Sequence, residues 1–250
     1  MRKYIIILLL FAGFNANSQI KLNIFPSNGS CKDDCQITVA LWNTSNDYYI
    51  IPIDTSAVKA YDNDIFWLDF EQSPNIEKSL GTEFLLKNSK NNVLMEAHTQ
   101  KPHINFDLID SLLANTNTQK QIFEKRIENW KLKFNIKNNE IAKKNMYIIE
   151  NLIFLEPGQK FLYNVKVNNF FPFENNALSP YSYYSIVPEE KYYVTLKLNI
   201  PKKIKYYFTN KQKAEYKKYK FFFGQKVSNH LILVFRNGEY ILSDPFSENL

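Results

Sequence analysis

Apolar and polar residues alternate in short stretches along most of the chain. Ile20 to Phe25 and Gln36 to Trp42 both alternate, the second with Ile37, Val39 and Leu41 on one face. A period of two marks a strand with one buried face. A polar turn, Asn43-Thr-Ser-Asn-Asp47, leads into Tyr48 to Ile53, where Pro52 sets the end of the strand at a sheet edge or exit. Ile65 to Phe70, Glu83 to Lys87 and Val93 to Ala97 continue in β-prone pieces, the last two separated by a turn over Asn88 to Asn92. Further on, Met146 to Leu155 reads as strand, and Glu156-Pro-Gly158 makes a turn. Lys160 to Val167 then alternates, as does Tyr192 to Ile200. Leu231 to Phe235 and Glu239 to Leu242 flank Asn237-Gly238, the strongest short hairpin signal.

Between about 106 and 145 the period changes. Phe123, Ile127, Trp130 and Phe134 recur at helical spacing, with Lys and Glu opposite, which predicts a helix over 118–134 and a shorter one from Asp107 to Ala114. No repeat and no Pro/Ser linker divides the chain. The pattern therefore predicts a mainly β fold: one domain over residues 19–250, with a helical insertion around residues 106–145.

Residues 1–18 follow a different logic. Arg2 and Lys3 precede the apolar stretch Tyr4 to Phe14, and Ala16-Asn17-Ser18 places small residues at the cleavage positions, so a cleaved secretory signal peptide ending at Ser18 is expected. Its 11 apolar residues fall short of the roughly 20 that span a bilayer. The expected mature protein is exported, periplasmic or secreted, with no transmembrane segment after cleavage. An oxidising compartment favours a disulfide between the only two cysteines, Cys31 and Cys35. Zinc would need two further ligands, and no His or Cys lies nearby.

Several pieces together resemble the exported immunoglobulin-like proteins of Bacteroidetes: Leu41-Trp-Asn-Thr-Ser45 before the strand ending in Pro52, Leu155-Glu-Pro-Gly158, Tyr193-Val-Thr-Leu196, and Phe223-Gly-Gln-Lys-Val-Ser-Asn229 before Leu231. The resemblance implies an immunoglobulin-like β-sandwich and an exported protein, and it carries over no catalytic residue. The helical insertion and the hairpin after Asn229 depart from the simple pattern.

Composition narrows the chemistry. At 250 residues and 45% hydrophobic, the chain is long and apolar enough to bury a core. With six glycines spread over its length it carries neither Gly-x-Ser-x-Gly nor a Gly-rich phosphate loop. Of its three histidines, His98 and His103 would reach one metal only if Glu96 or Asp107 folded back, and they read instead as a polar connection. His230 reads as a sheet residue. Asp33-Asp34, Asp62 with Asp64, and Glu189-Glu190 read as solvated surface, and Asp62-Asn63-Asp64 alone lacks the oxygens calcium requires. No cofactor is expected.

Charge gives the sharpest signal. Of the net +6, two belong to Arg2 and Lys3, which leaves about +4 after cleavage. Yet Lys202, Lys203, Lys205, Lys211, Lys213, Lys217, Lys218 and Lys220, against Glu215 alone, put +7 into 19 residues, so the rest of the mature chain is about −3. Such a segment suits an anionic surface: lipid headgroups, acidic polysaccharide or an acidic partner protein. Nucleic acid is not expected, because only Arg126 and Arg236 would remain for bidentate recognition. Aromatics reach 16%, and Phe170, Phe171, Phe173, Tyr181, Tyr183 and Tyr184 concentrate into a cluster that reads first as filling of the sandwich core and, if exposed, as a candidate platform for a glycan or protein partner. The leading expectation is a noncatalytic exported binding protein of the cell envelope. An inhibitor or immunity-type protein blocking a secreted enzyme or toxin is the alternative, and a hydrolase of unfamiliar carboxylates comes third.

Overall fold

The computed structural model describes residues 19–27, 30–31, 35–62, 79–100, 109–167 and 181–245. The proposed signal at 1–18, the strand expected at 65–70, and Asp33, Asp34, Asp64, His103, Phe170, Phe171 and Phe173 lie outside them.

Eight strands precede the helices: β1 (Ile20–Pro26), β2 (Ser30–Cys31), β3 (Gln36–Asn43), β4 (Tyr49–Pro52), β5 (Val58–Ala60), β6 (Thr82–Asn88), β7 (Leu94–Met95) and β8 (His98–Gln100). Helices α1 (Ile109–Phe134) and α2 (Asn139–Glu150) form the insertion. Then follow β9 (Leu152–Leu155), β10 (Lys160–Lys166), β11 (Tyr181–Tyr183) and β12 (Lys191–Ile200). A 3-10 helix (Lys202–Tyr207), the short α3 (Asn210–Glu215), β13 (Lys220–Phe221), β14 (Gly224–Val227), β15 (Leu231–Arg236) and β16 (Glu239–Ser243) complete the described chain. The fold is mainly β, as the alternation predicts.

The strands form curled sheets around one core. The largest runs β2-β16-β15-β12-β6-β5, with β14 continuing the line of β15 along β12 and β7 pairing β6. Smaller sheets run β1-β3-β10 and β13-β4-β9, and β11 pairs β8. Residues two apart point inward: Ile20, Leu22 and Ile24 of β1 and Ile37, Val39 and Leu41 of β3 share a core with Val194, Leu196 and Leu198 of β12 and Leu231 and Leu233 of β15. Burying each such side chain stabilises the fold by about 1.5–3 kcal/mol. Asn229 ties β1 to the entrance of β15: its Oδ1 accepts from the Ile24 amide at 2.7 Å, and its Nδ2 donates to the Ile24 carbonyl at 2.9 Å.

Two turns follow directly from sequence. Asn237 and Gly238 both take positive φ, 54° and 79°, the pairing that lets a two-residue hairpin match strand twist between β15 and β16. The Glu156-Pro-Gly158 turn closes with the Gln159 amide donating to the Glu156 carbonyl at 3.0 Å. Cys31 and Cys35 are joined as a disulfide, their Cα atoms 5.2 Å apart, next to the β2–β16 pairing.

The insertion departs from its expected boundaries. From Ile109 on, the two expected helical stretches form one continuous α1, Asp107 and Leu108 lying outside the described residues, and α2 extends to Glu150, so strand begins at Leu152 rather than Met146. Tyr147-Ile-Ile149 is a β-prone run. Tertiary burial overrides it: Ala142, Asn145 and Met146 are buried at helical spacing, Ile148 is buried in the main core, and the Asn138 side chain caps the helix by accepting from the Ile141 amide at 3.0 Å. Ile127 of α1 packs on Ala142 and Met146, with Phe123 and Trp130 half-buried beside them.

Gly81 marks a close approach where the parallel pair β5–β6 begins. A Cβ there would lie 2.5 Å from the Ala57 carbonyl oxygen and 2.7 Å from the Ala57 Cβ. Backbone cannot yield as a flexible side chain does, so Gly81→Ala is expected to destabilise by about 2–3 kcal/mol. An unchanged thermal midpoint for that variant would show that the Asp54–Ala57 turn is free to shift.

Candidate binding surface

The basic segment is folded rather than a loose loop. β12 ends at Ile200, and after Pro201 the chain turns into the 3-10 helix and α3. Thr209 starts α3 with a capping box: its hydroxyl accepts from the Gln212 amide at 3.3 Å, and the Gln212 Oε1 accepts from the Thr209 amide at 2.8 Å. Ile204, Phe208 and Gln212, four residues apart, are the buried positions of the segment. Lys202, Lys203, Lys205, Lys211, Lys213, Lys217, Lys218 and Lys220 are all exposed. The apolar anchors thus hold the backbone while every charge faces out.

A buried amide pair clamps this segment to the helical insertion. Asn145 of α2 and Gln212 are fully buried and bond reciprocally at 2.8 and 3.1 Å. Asn145 Oδ1 also accepts from Trp130 Nε1 at 2.7 Å, and its Nδ2 donates to the Tyr207 carbonyl at 2.7 Å. Both donors and both lone pairs of the Asn145 amide are used.

Downstream, β13 adds in parallel to β4, with the Lys220 amide donating to the Tyr48 carbonyl at 2.8 Å and the Phe222 amide to the Ile50 carbonyl at 2.9 Å. This pairing lays Tyr216 and Tyr219 against rings from distant parts of the chain. Phe154 of β9 stands 5.7 Å from Tyr216 and 5.1 Å from Tyr219, and Tyr219 meets Tyr48 edge-on at 5.8 Å. These are the offset and edge contacts that aromatic quadrupoles favour. Tyr48 and Phe154 each remain 39% exposed, so half of the cluster faces water. The Lys218 ammonium lies 5.2 Å from the Tyr48 ring centroid and 4.8 Å from that of Tyr219, within cation–π range. Lys220 pairs with Asp47 at 2.6 Å, which holds its ammonium above the ordinary lysine range and keeps it charged. Behind the cluster Phe208 touches Tyr216 and Phe221, which anchors the surface rings to the core.

The other sequence-predicted aromatics lie on different elements. Tyr183 of β11 packs on His98 of β8, centroids 5.5 Å apart, and the backbone of Tyr181 pairs opposite Gln100. Tyr184 belongs to the core: it is 1% exposed, its ring tilts against Phe84, and its hydroxyl donates to the Phe84 carbonyl at 2.8 Å. It is therefore removed from the candidate surface. The structure brings Lys218 and Lys220 together with Tyr48, Phe154, Tyr216 and Tyr219, four rings absent from the sequence-derived candidates. One signal was available for Tyr216 and Tyr219, an i, i+3 pair inside the basic run.

Elsewhere, polar groups are committed to structure. Asp54 accepts from Tyr147 Oη at 2.9 Å and from Ser56 Oγ at 2.6 Å, and burial followed by the Asp54 charge keeps the Tyr147 phenol well above its ordinary pKa. Among the described residues no three His, Cys, Asp or Glu side chains converge as a metal site. Among them also, no helix is long and apolar enough to cross a membrane. No protein-family model, curated protein or solved structure matches the chain.

Proposed function

We propose that the chain is a noncatalytic, exported binding protein of the cell envelope, built on an immunoglobulin-like sandwich, and that it docks an anionic partner through the face formed by residues 202–220. One observation carries this reading. The segment is anchored by Ile204, Phe208 and Gln212 while all eight of its lysines stay exposed, so its charge is held in place beside half-exposed rings. A fixed array of like charges costs self-repulsion and is favoured where an opposite charge docks. The curled sheets sharing one core and the Pro157-Gly158 turn joining β9 to β10 are compatible with the immunoglobulin-like reading.

The purified mature chain is expected to be retained on envelope fractions at low salt and released at high salt, as screening shortens the reach of surface charges. Lys217→Glu with Lys218→Glu should cut low-salt retention at least tenfold without changing the thermal midpoint. Equal retention of the wild type and the charge-reversed variant would overturn the assignment of the face.

A further inference from the structure

Resting on that docking reading, we infer that the partner is an acidic polysaccharide: sugar rings stack on Tyr48, Phe154 and Tyr219 while their carboxylates pair with Lys217 and Lys218. The argument begins with the geometry of the rings. Three elements separated in sequence, the turn before β4, strand β9 and the stretch after α3, each deliver one or two rings to a single cluster. Edge contacts between neighbouring rings and the Phe208 anchor fix their orientation, so little entropy is lost when a flat partner stacks on them. Tyr48 and Phe154 each keep 39% of their surface exposed while held by neighbouring rings.

That arrangement disfavours a bilayer. Deep entry into lipid requires aliphatic side chains that protrude, yet Ile204 and Phe208 are 0% and 3% exposed, and the one large ring of the basic segment that does protrude, Tyr206 at 72%, ends in a hydroxyl. A pyranose ring, in contrast, offers one face of C–H groups that fits a half-exposed aromatic, and a rim of hydroxyls that fits Tyr Oη and Lys Nζ. The charge adds the acidic group. Lysine presents a mobile point charge on a flexible stem, which tolerates the varied carboxylate positions along a polymer. The remaining mature chain is slightly acidic, so a polyanion is steered to this face and away from the rest.

Affinity electrophoresis of the mature chain through gels containing polygalacturonate, carboxyl-reduced polygalacturonate or no polymer tests the inference, with co-sedimentation on phosphatidylglycerol–phosphatidylcholine vesicles as the lipid arm. Retardation is expected in polygalacturonate at low salt and not in the reduced polymer. Phe154→Ala and Tyr48→Ala should each weaken it about tenfold, and Lys217→Gln with Lys218→Gln by more. Tyr48→Ala, at a site outside the strands, keeps the test valid should Phe154→Ala fail to fold. Loss through the lysine changes with none through Tyr48 or Phe154 would overturn the stacking, and with it the inference. Binding to vesicles but not to polygalacturonate would overturn the polysaccharide while leaving the docking face in place. Failure to bind polymer, vesicles and envelope fractions alike would overturn both.

Discussion

Asn145→Leu is expected to lower stability by about 4 kcal/mol, read as a drop in the urea midpoint with an unchanged slope. Leucine shares asparagine's branching but carries bulkier methyl groups, so no cavity opens and the loss comes from hydrogen bonds with some overpacking added. Four buried or half-buried groups lose a partner at once: Trp130 Nε1, the Tyr207 carbonyl, Gln212 Nε2 and Gln212 Oε1, the last of which keeps the Thr209 amide. Each orphaned buried donor or acceptor costs about 1–3 kcal/mol, and the added apolar side chain recovers part of the sum. The double variant Asn145→Leu with Gln212→Leu should regain less than about 1 kcal/mol over the single one, because it removes the stranded Gln212 Nε2 but strands the Thr209 amide that Gln212 Oε1 accepts from. Since the pair joins α2 to the basic segment, amide exchange in residues 209–216 should speed up in the single variant more than exchange in β12. A loss below 1 kcal/mol would mean that water enters and replaces the amide.

The parts of this molecule legible in the sequence are those governed by local chemistry. Alternation located β1, β3, β10 and β12 because a strand with one wet face writes its period into the chain, and Asn237-Gly238 located the last hairpin because few other pairs adopt positive φ twice. The face of α1 carrying Phe123, Ile127 and Trp130 was legible for the same reason. The end of α2 was not, since Tyr147-Ile-Ile149 prefers strand locally and is held helical only by what it packs against.

The candidate surface was half legible. The lysines announced themselves as a run, but their companions come from residues 48 and 154, brought in by a two-residue parallel pairing of β13 with β4 that leaves no local trace. Phe154 sits in Leu-Ile-Phe-Leu, where every residue is apolar and period alone cannot say which one faces water. Tyr184 shows the converse: surrounded by aromatics in sequence it resembles part of a platform, yet its hydroxyl finds two backbone partners in the core.

Buried phenols set the second large effect, an alkaline unfolding that begins near pH 10. Burial is the main reason that Tyr147, Tyr163 and Tyr184 have their pKa values pushed far above the ordinary phenol range. Nearby carboxylates add to it, Asp54 for the first two and Glu83 for Tyr184. Unfolding returns each phenol to a pKa of about 10. Below that value both states hold the protons and the stability is fully present. Above it the unfolded chain releases three protons that the native state keeps, so stability falls as pH rises, by about 1.4 kcal/mol per pH unit for each phenol and about 4 for the three together. A domain of ordinary stability, about 5–15 kcal/mol, is then lost over roughly one to four pH units above that point. Circular dichroism and tyrosinate absorbance should therefore show one shared step on top of the gradual titration of exposed tyrosines. Tyr163→Phe provides the control, since Tyr163 Oη is buried with no hydrogen-bond partner among the described residues. Its removal should shallow the pH dependence by about a third and raise stability at neutral pH by about 1 kcal/mol. Complete titration of all 16 tyrosines near pH 10, before any loss of circular dichroism, would contradict the burial of these phenols.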